Sequence, residues 1–140
     1  MAGHDTDRSP IYVARAMEGC ALIPAKAIPS KNACYVCYNG NEILKQNFEY
    51  LVGFGFHWVG SANGHVPDNA VPSGNDPSGE VYYLGRAHHQ NSLTPGKIHK
   101  THQCLYIGYD GHEIAIKQYE VLVAQEKCKF LCFIIFGGLF

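Results

Sequence analysis

Two acids and two amines recur at one spacing along this chain. Asp5 is followed about twenty residues later by Lys26, and Asp76 by Lys97 in the same way. Each acid sits in a glycine-containing turn, Gly3-His4-Asp5 and Gly74-Asn75-Asp76, just ahead of a β-favouring run. An ionised carboxylate only accepts hydrogen bonds and an ammonium only donates them. Held side by side, they suit a vicinal diol, whose hydroxyls donate to the acid and accept from the amine. The same residues could instead form an exposed salt bridge or an Asx-turn, which contributes little energetically. On residue types alone the structural reading is the simpler one.

Other chemistry-bearing residues give weaker signals. Arg15 and Arg86 lie inside strand-like runs and read as structural partners of Glu42 and Glu113 or of Glu49 and Glu120. Paired glutamates raise the idea of a glycosidase, which needs two opposed carboxyls about 5–5.5 or 6.5–9.5 Å apart. Nothing in the spacing makes these face each other. Cys34-x-x-Cys37 resembles half a zinc site, with His88, His89, His99 and His102 as further ligands. Yet the equivalent positions later in the chain are Leu105 and Gly108. Residues i and i+3 on a strand face opposite ways, which predicts one core thiol and one surface thiol rather than a shared metal. Gly53-Phe54-Gly55-Phe56 lacks the strand–glycine–helix setting of a phosphate loop. No nucleophile–base arrangement can be named from spacing. The expectation is a protein that is not an enzyme and uses no cofactor or metal.

The elements that must position these residues come from a duplication. Shifted by 71 positions, Gly3–Val52 lies on Gly74–Val123 without a gap, matching Tyr12 with Tyr83, Tyr35 with Tyr106 and Tyr38 with Tyr109. A fixed period of this kind decides the fold before any local pattern does. Within each copy, Ile11–Ala16 and Val81–Ala87 read as strands. Each is followed by a loop, Pro24-Ala25-Lys26 or Pro95-Gly96-Lys97. Tyr35–Tyr38 and Tyr106–Tyr109 then run into Asn39-Gly40 and Asp110-Gly111, the central pairs a type I′ hairpin demands. Return strands follow at 42–46 and 113–117, and last strands at Phe48–Val52 and Tyr119–Val123. No segment keeps a 3.6-residue apolar period. The fold should be all-β.

Residues 1–123 read as one tandem-repeat domain, with a first repeat over 1–52 and a second over 58–123. Gly53–His57 is too short for a flexible linker, so the copies should share a core. The second repeat owns Trp58–Ser73, which the first lacks, and Trp58 reads as a core anchor. Residues 124–140 form an apolar tail outside the repeat. Its run Phe130–Phe140 is shorter than the ~20 residues a membrane-spanning helix needs. It reads as a non-native extension, a strand filling the place the first repeat leaves open, or an interfacial anchor.

Composition narrows the function classes. Charged residues are 16% and the net charge is −1, with no basic stripe, so nucleic acid is not an expected partner. The opening MAGHDTDRSP has no apolar segment behind a positive start and does not read as a secretory signal. Six cysteines in such a chain are better read as reduced thiols, which suggests a cytoplasmic location.

The second copy, WVGSANGHVPDNAV, GNDPSGEVYYLGRAHH, LTPGKIH and YIGYDGHEIAIKQYEVL, closely resembles the DM-nine repeat family. The first copy, GHDTDRSPIYVARA through LIPAKA to YNGNEILKQNFEYL, looks like a repeat without its opening segment. The resemblance implies a β-sandwich in which two repeats intertwine. It also implies kinship with invertebrate tandem-repeat lectins that recognise mannose, serve as innate immune pattern-recognition proteins and are often cytosolic and dimeric. In those lectins the sugar-binding acid and amine stand where Asp5 and Lys26 stand here, with Asp76 and Lys97 as the second-repeat equivalents. The chain departs from the family in carrying Asn41 and His112 where Lys often precedes the glutamate after the hairpin turn. Pore-forming relatives append a long β-hairpin module for which these residues leave no room. The expectations are therefore mannose-containing glycans as ligands, a homodimer as a possible assembly, and Asp76 with Lys97 as the stronger site. A scaffold without sugar activity is the alternative.

Overall fold

The structure is a computed structural model and describes residues 1–125 together with the backbone of residues 132–136. The first repeat supplies β1 (Gly3–His4), β2 (Pro10–Glu18), β3 (Ala21–Ile28), β4 (Ala33–Tyr38), β5 (Asn41–Leu44) and β6 (Phe48–Val52). The second supplies β7 (Phe56–Ala62), β8 (Pro72–Asn75), β9 (Val81–His89), β10 (Ser92–His99), β11 (Cys104–Tyr109), β12 (His112–Ile116) and β13 (Gln118–Ala124). A last strand, β14, spans Cys132–Phe136. Strands β2, β3 and β4 fall on β9, β10 and β11 at a shift of 71, with the same boundaries. The all-β expectation holds.

Strand pairing interleaves the two copies. β1 pairs with β10, β8 with β3, and β12 with β5 through His112 and Asn41. Hydrogen bonding closes into a ring of β2, β1, β10, β11, β12, β5, β4 and β3, which returns to β2. β6 and β14 extend it on one side, and β8, β9, β13 and β7 on the other. The two stacked sheets expected of a sandwich are thus replaced by a closed ring with flanking strands. The cause is a fork in two strands: β3 and β10 each divide one edge between two neighbours and so chain the layers together.

That fork also corrects the expected loops at Pro24–Lys26 and Pro95–Lys97, which are strand interior. On one edge of β3 the partner is Asn75 of β8 at Leu22, and then Tyr35 of β4 from Lys26 onward. Pro24 lies between those two partners, where a missing N–H removes no ladder bond. Pro95 repeats the arrangement between His4 at Leu93 and Tyr106 at Lys97. Both hairpin turns have φ > 0 at their two central residues, 50° and 84° at Asn39 and Gly40, 51° and 81° at Asp110 and Gly111. They are built as the sequence predicts.

One apolar cluster belongs to each copy and a third is shared. Ile23, Ala25, Cys34 and Val36 pack with Tyr82 of the other copy, while Ile98, Leu105, Ile107 and Val121 form the second cluster. Val13, Val71, Leu84 and Leu122 join the copies, with Trp58 packed against them. Each fully buried Leu, Ile or Val contributes about 1.5–3 kcal/mol relative to exposure. β7 covers β13 from Tyr119↔Ser61 to Val123↔His57, and β14 takes the matching register on β6, from Phe48↔Phe136 to Val52↔Cys132. Of the readings of the tail, a strand along β6 is the one this backbone follows. Residues 126–131 and 137–140 lie outside the described residues.

Candidate functional site

Asp76 sits in the turn from β8 to β9, which closes through Asp76 N–H to Glu80 O (2.9 Å) and Gly79 N–H to Asp76 O (3.0 Å). Its Oδ1 accepts from the Ser78 N–H, the Ser78 hydroxyl and the Glu80 N–H at 2.9, 2.7 and 2.9 Å. Its Oδ2 lies 3.1 Å from His99 Nε2. The Ser78 hydroxyl leads these effects, and with the Glu80 N–H and His99 it outweighs desolvation, holding the carboxyl down at about 2. One oxygen is therefore committed to the turn, and the other faces His99. The Asx-turn reading is correct for Oδ1.

Lys97 points inward from β10 and is 3% exposed. Its Nζ donates to Cys37 O at 2.6 Å and pairs with Glu113 Oε2 at 2.9 Å. The rings of Tyr38, Tyr82 and Tyr106 surround it, with centroids 5.2, 5.2 and 5.5 Å away. Glu113 is fixed in turn by the Gly40 N–H, which donates to Oε1 at 3.1 Å. The first copy repeats the design: Lys26 donates to Gly108 O at 2.7 Å and pairs with Glu42 at 2.8 Å, and Gly111 N–H donates to Glu42. Gly108 leaves room for this, since a Cβ there would stand 2.6 Å from Glu42 Oε2.

Asp76 and Lys97 line one cleft of about 180 Å³, together with Tyr38, Tyr82, His99 and Tyr106. Pro77, Asn39 and His102 at its rim are exposed. His99 Nδ1 meets Glu80 Oε2 at 3.0 Å, and its ring stacks on His102 at 3.7 Å. His102 Nδ1 in turn lies 2.9 Å from the Tyr106 hydroxyl. The cleft thus offers a carboxylate, a buried ammonium and aromatic walls within one small space. A larger cavity of about 370 Å³, lined by Met17, Leu22, Leu44 and Phe48, holds none of the four expected residues.

The first-copy pair is set differently. Asp5 Oδ1 accepts from the Thr6 N–H at 2.7 Å, and Lys31 donates to Oδ2 at 2.7 Å while reaching Asp7 at 3.2 Å. Partial burial raises the Asp5 pKa, but the Lys31 and Thr6 hydrogen bonds outweigh it and leave the carboxyl below its usual range. Lys31 stands where the second copy has His102, and Ile11 and Ile28 stand where it has Tyr82 and His99. Asp5 therefore carries a salt bridge of its own, and Lys26 is buried with Glu42.

The remaining candidates are also placed. Arg15 pairs with Glu49 at 2.7 Å and Arg86 with Glu120 at 3.0 Å, while Glu42 and Glu113 serve the lysines. Arg86 also donates to Ala2 O at 2.8 Å and lies 4.2 Å from the Trp58 ring centroid. Cys34 and Cys37 are both buried, which corrects the expected surface thiol: β4 is covered on both faces, by the first core and by Lys97 with Glu113. Burial pushes the Cys34 thiol up to about 12 and raises Cys37 as well, so both are held as thiols. Among the described residues no three His, Cys, Asp or Glu side chains gather to hold a metal. His89 instead packs edge-on against Tyr109, at 4.8 Å.

Two residues of the site escape sequence reading in different ways. The Lys97–Glu113 pair was visible as a 16-residue spacing shared with Lys26 and Glu42, but a loop position for the lysines hid it. His99 has no such signal, because its first-copy counterpart is Ile28.

Among the described residues no helix is long and apolar enough to cross a membrane. The chain is 31% identical over 97 residues to Natterin-3 of Thalassophryne nattereri, an alignment covering 66% of this chain and 24% of that protein. It thus spans about a quarter of that relative. The family model of the DM9 repeat matches residues 5–116, taking in both copies and both Asp–Lys pairs. The chain belongs to the DM9 repeat family.

Proposed function

We propose that this chain is a non-enzymatic carbohydrate-binding protein that recognises terminal mannose-type glycans, in the manner of a cytoplasmic pattern-recognition lectin of innate immunity. The observation that carries this reading is the single cleft lined by both Asp76 and Lys97. Asp76 Oδ2 accepts from one hydroxyl of a vicinal pair. Lys97 has three N–H donors, of which Cys37 O and Glu113 take two, and the third serves the neighbouring sugar oxygen. Both bonds are charge-assisted, and an epimer that moves one hydroxyl leaves a buried partner unsatisfied. Tyr38 and Tyr106 give the ring an apolar wall.

One shallow site of this kind binds weakly, on the order of millimolar, or about −4 kcal/mol. A homodimer would gain avidity on a multivalent glycan without new contacts. A glycan array and a mannan pull-down test the reading, with Asp76→Ala and Lys97→Ala compared to the parent. Mannose-dependent capture that disappears in both variants is the expected result. Capture unchanged in both removes the site.

A second reading, an interaction scaffold without sugar activity, is favoured by one observation. Asp76 Oδ1 and Lys97 already have structural partners that would hold them in place without any ligand. An inert glycan array together with a recoverable protein partner would select it.

A further inference from the structure

The Asp76–Lys97 cleft, at about 180 Å³, is smaller than the roughly 300 Å³ at which ligand pockets begin to enclose a drug-sized molecule. Three of its lining residues also serve a neighbouring space. Tyr38, Asn39 and Pro77 also line a second cavity of about 500 Å³, whose far side is formed by Glu18, Cys20 and Asn41. We propose that the two cavities are one continuous groove for an oligosaccharide. Its terminal residue lies at Asp76 and Lys97, and the next one or two cross Tyr38 to lie among Asn39, Asn41 and Glu18. This extension rests on the carbohydrate reading above.

The chemistry of the outer cavity fits that occupant. Tyr38 is half-buried between the two spaces and gives a flat apolar surface for pyranose C–H groups, continued by Ile43. Asn39 and Asn41 are exposed amides, each able to donate and accept as a sugar hydroxyl does. Glu18 accepts from Lys45 at 3.0 Å, which anchors its carboxylate at the edge of the cavity. The groove is therefore made by both repeats, the Asn39-Gly40 hairpin of the first facing the Asp76 turn of the second.

The twin groove is filled by the protein itself. At the shift of 71, Glu18 becomes His89, Tyr38 becomes Tyr109 and Asn41 becomes His112. The His89 ring packs edge-on against Tyr109 at 4.8 Å, so in the twin a side chain of the protein lies on the tyrosine that would carry the sugar. At the other end Lys31 bonds to Asp5. One groove per chain should therefore bind, although the fold contains two Asp–Lys pairs.

Calorimetric titration with methyl mannoside, mannobiose and mannotriose tests this on the full chain. Mannotriose should bind roughly ten-fold more tightly than methyl mannoside, at one equivalent per chain. Among the described cysteines Cys20 is exposed whereas Cys34, Cys37 and Cys104 are buried, so in a Cys128→Ser/Cys132→Ser background a bulky maleimide can be placed in the outer cavity. Labelling should erase most of the mannotriose advantage and leave methyl mannoside binding unchanged, with treated Cys20→Ser as the control. Asn41→Ala should weaken mannotriose several-fold and methyl mannoside not at all. Equal affinity for the one- and three-residue sugars would overturn the extended groove, as would an advantage that survives both labelling and Asn41→Ala. Two equivalents per chain would overturn the closed twin. If methyl mannoside also fails to bind, the carbohydrate reading itself falls and takes the extension with it.

Discussion

Replacing Glu113 with Gln leaves the Lys97 ammonium buried without its counter-charge. The two side chains are 11% and 4% exposed and meet at 2.9 Å, so solvent cannot take over the role of the carboxylate. Removing one partner of such a pair costs about 3–5 kcal/mol, because the survivor stays desolvated and unneutralised. Gln keeps the shape and can still accept from the Gly40 N–H, and Lys97 keeps Cys37 O. Those retained bonds place the loss near the lower limit, about 3 kcal/mol. At about 2–4 °C for each kcal/mol, the midpoint should fall by roughly 10 °C. Urea and thermal unfolding followed by tyrosine fluorescence would measure it. The double variant Lys97→Met/Glu113→Gln carries no unpaired charge and should recover more than half of the loss. A Glu113→Gln protein within about 1 kcal/mol of the parent would refute the buried-pair argument.

Two further outcomes follow from the same geometry. Gly74 enters the Asp76 turn with φ of 136°, and a Cβ there would lie 2.0 Å from Leu22 O, so Gly74→Ala should cost about 2–4 kcal/mol in urea unfolding and weaken mannan capture by displacing the turn. A carboxyl lowered from 3.8 to about 2 stabilises the fold fully above its unfolded value and loses that contribution as pH falls through 2. The stability gap between the parent and Asp76→Asn should therefore be full at pH 5 and shrink steadily towards pH 2 in urea titrations. A gap that stays constant over that range would show that the turn does not favour the ionised form.

What was legible in the sequence follows from what duplication preserves. Tyr35/Tyr106, Asn39-Gly40/Asp110-Gly111 and the two Asp–Lys spacings stand in register, and they locate the hairpins and the candidate residues. The lysines were harder to place because Pro24 and Pro95 signal a loop, whereas here each proline falls where its strand changes neighbours. That fork depends on partners far apart in the chain, and local propensity carries no trace of it. It is also why two expected sheets become one closed ring. The differences between the copies were legible only as substitutions. His99 for Ile28, His102 for Lys31 and His89 for Glu18 look unremarkable in sequence. Packed around equivalent acids and tyrosines, they leave Asp76 and Lys97 lining a cleft, while Lys31 bonds to Asp5 and His89 packs on Tyr109 in the other copy.

Titration of methyl mannoside into ¹⁵N-labelled protein followed by amide shifts, repeated with Asp76→Ala, probes the Asp76–Lys97 cleft itself. Saturable shifts should be confined to the Asp76 turn, residues 97–106 and the Asn39 hairpin, and all should be absent in the variant. Shifts that persist in Asp76→Ala, or that gather instead around Asp5 and Lys26, would contradict binding in that cleft.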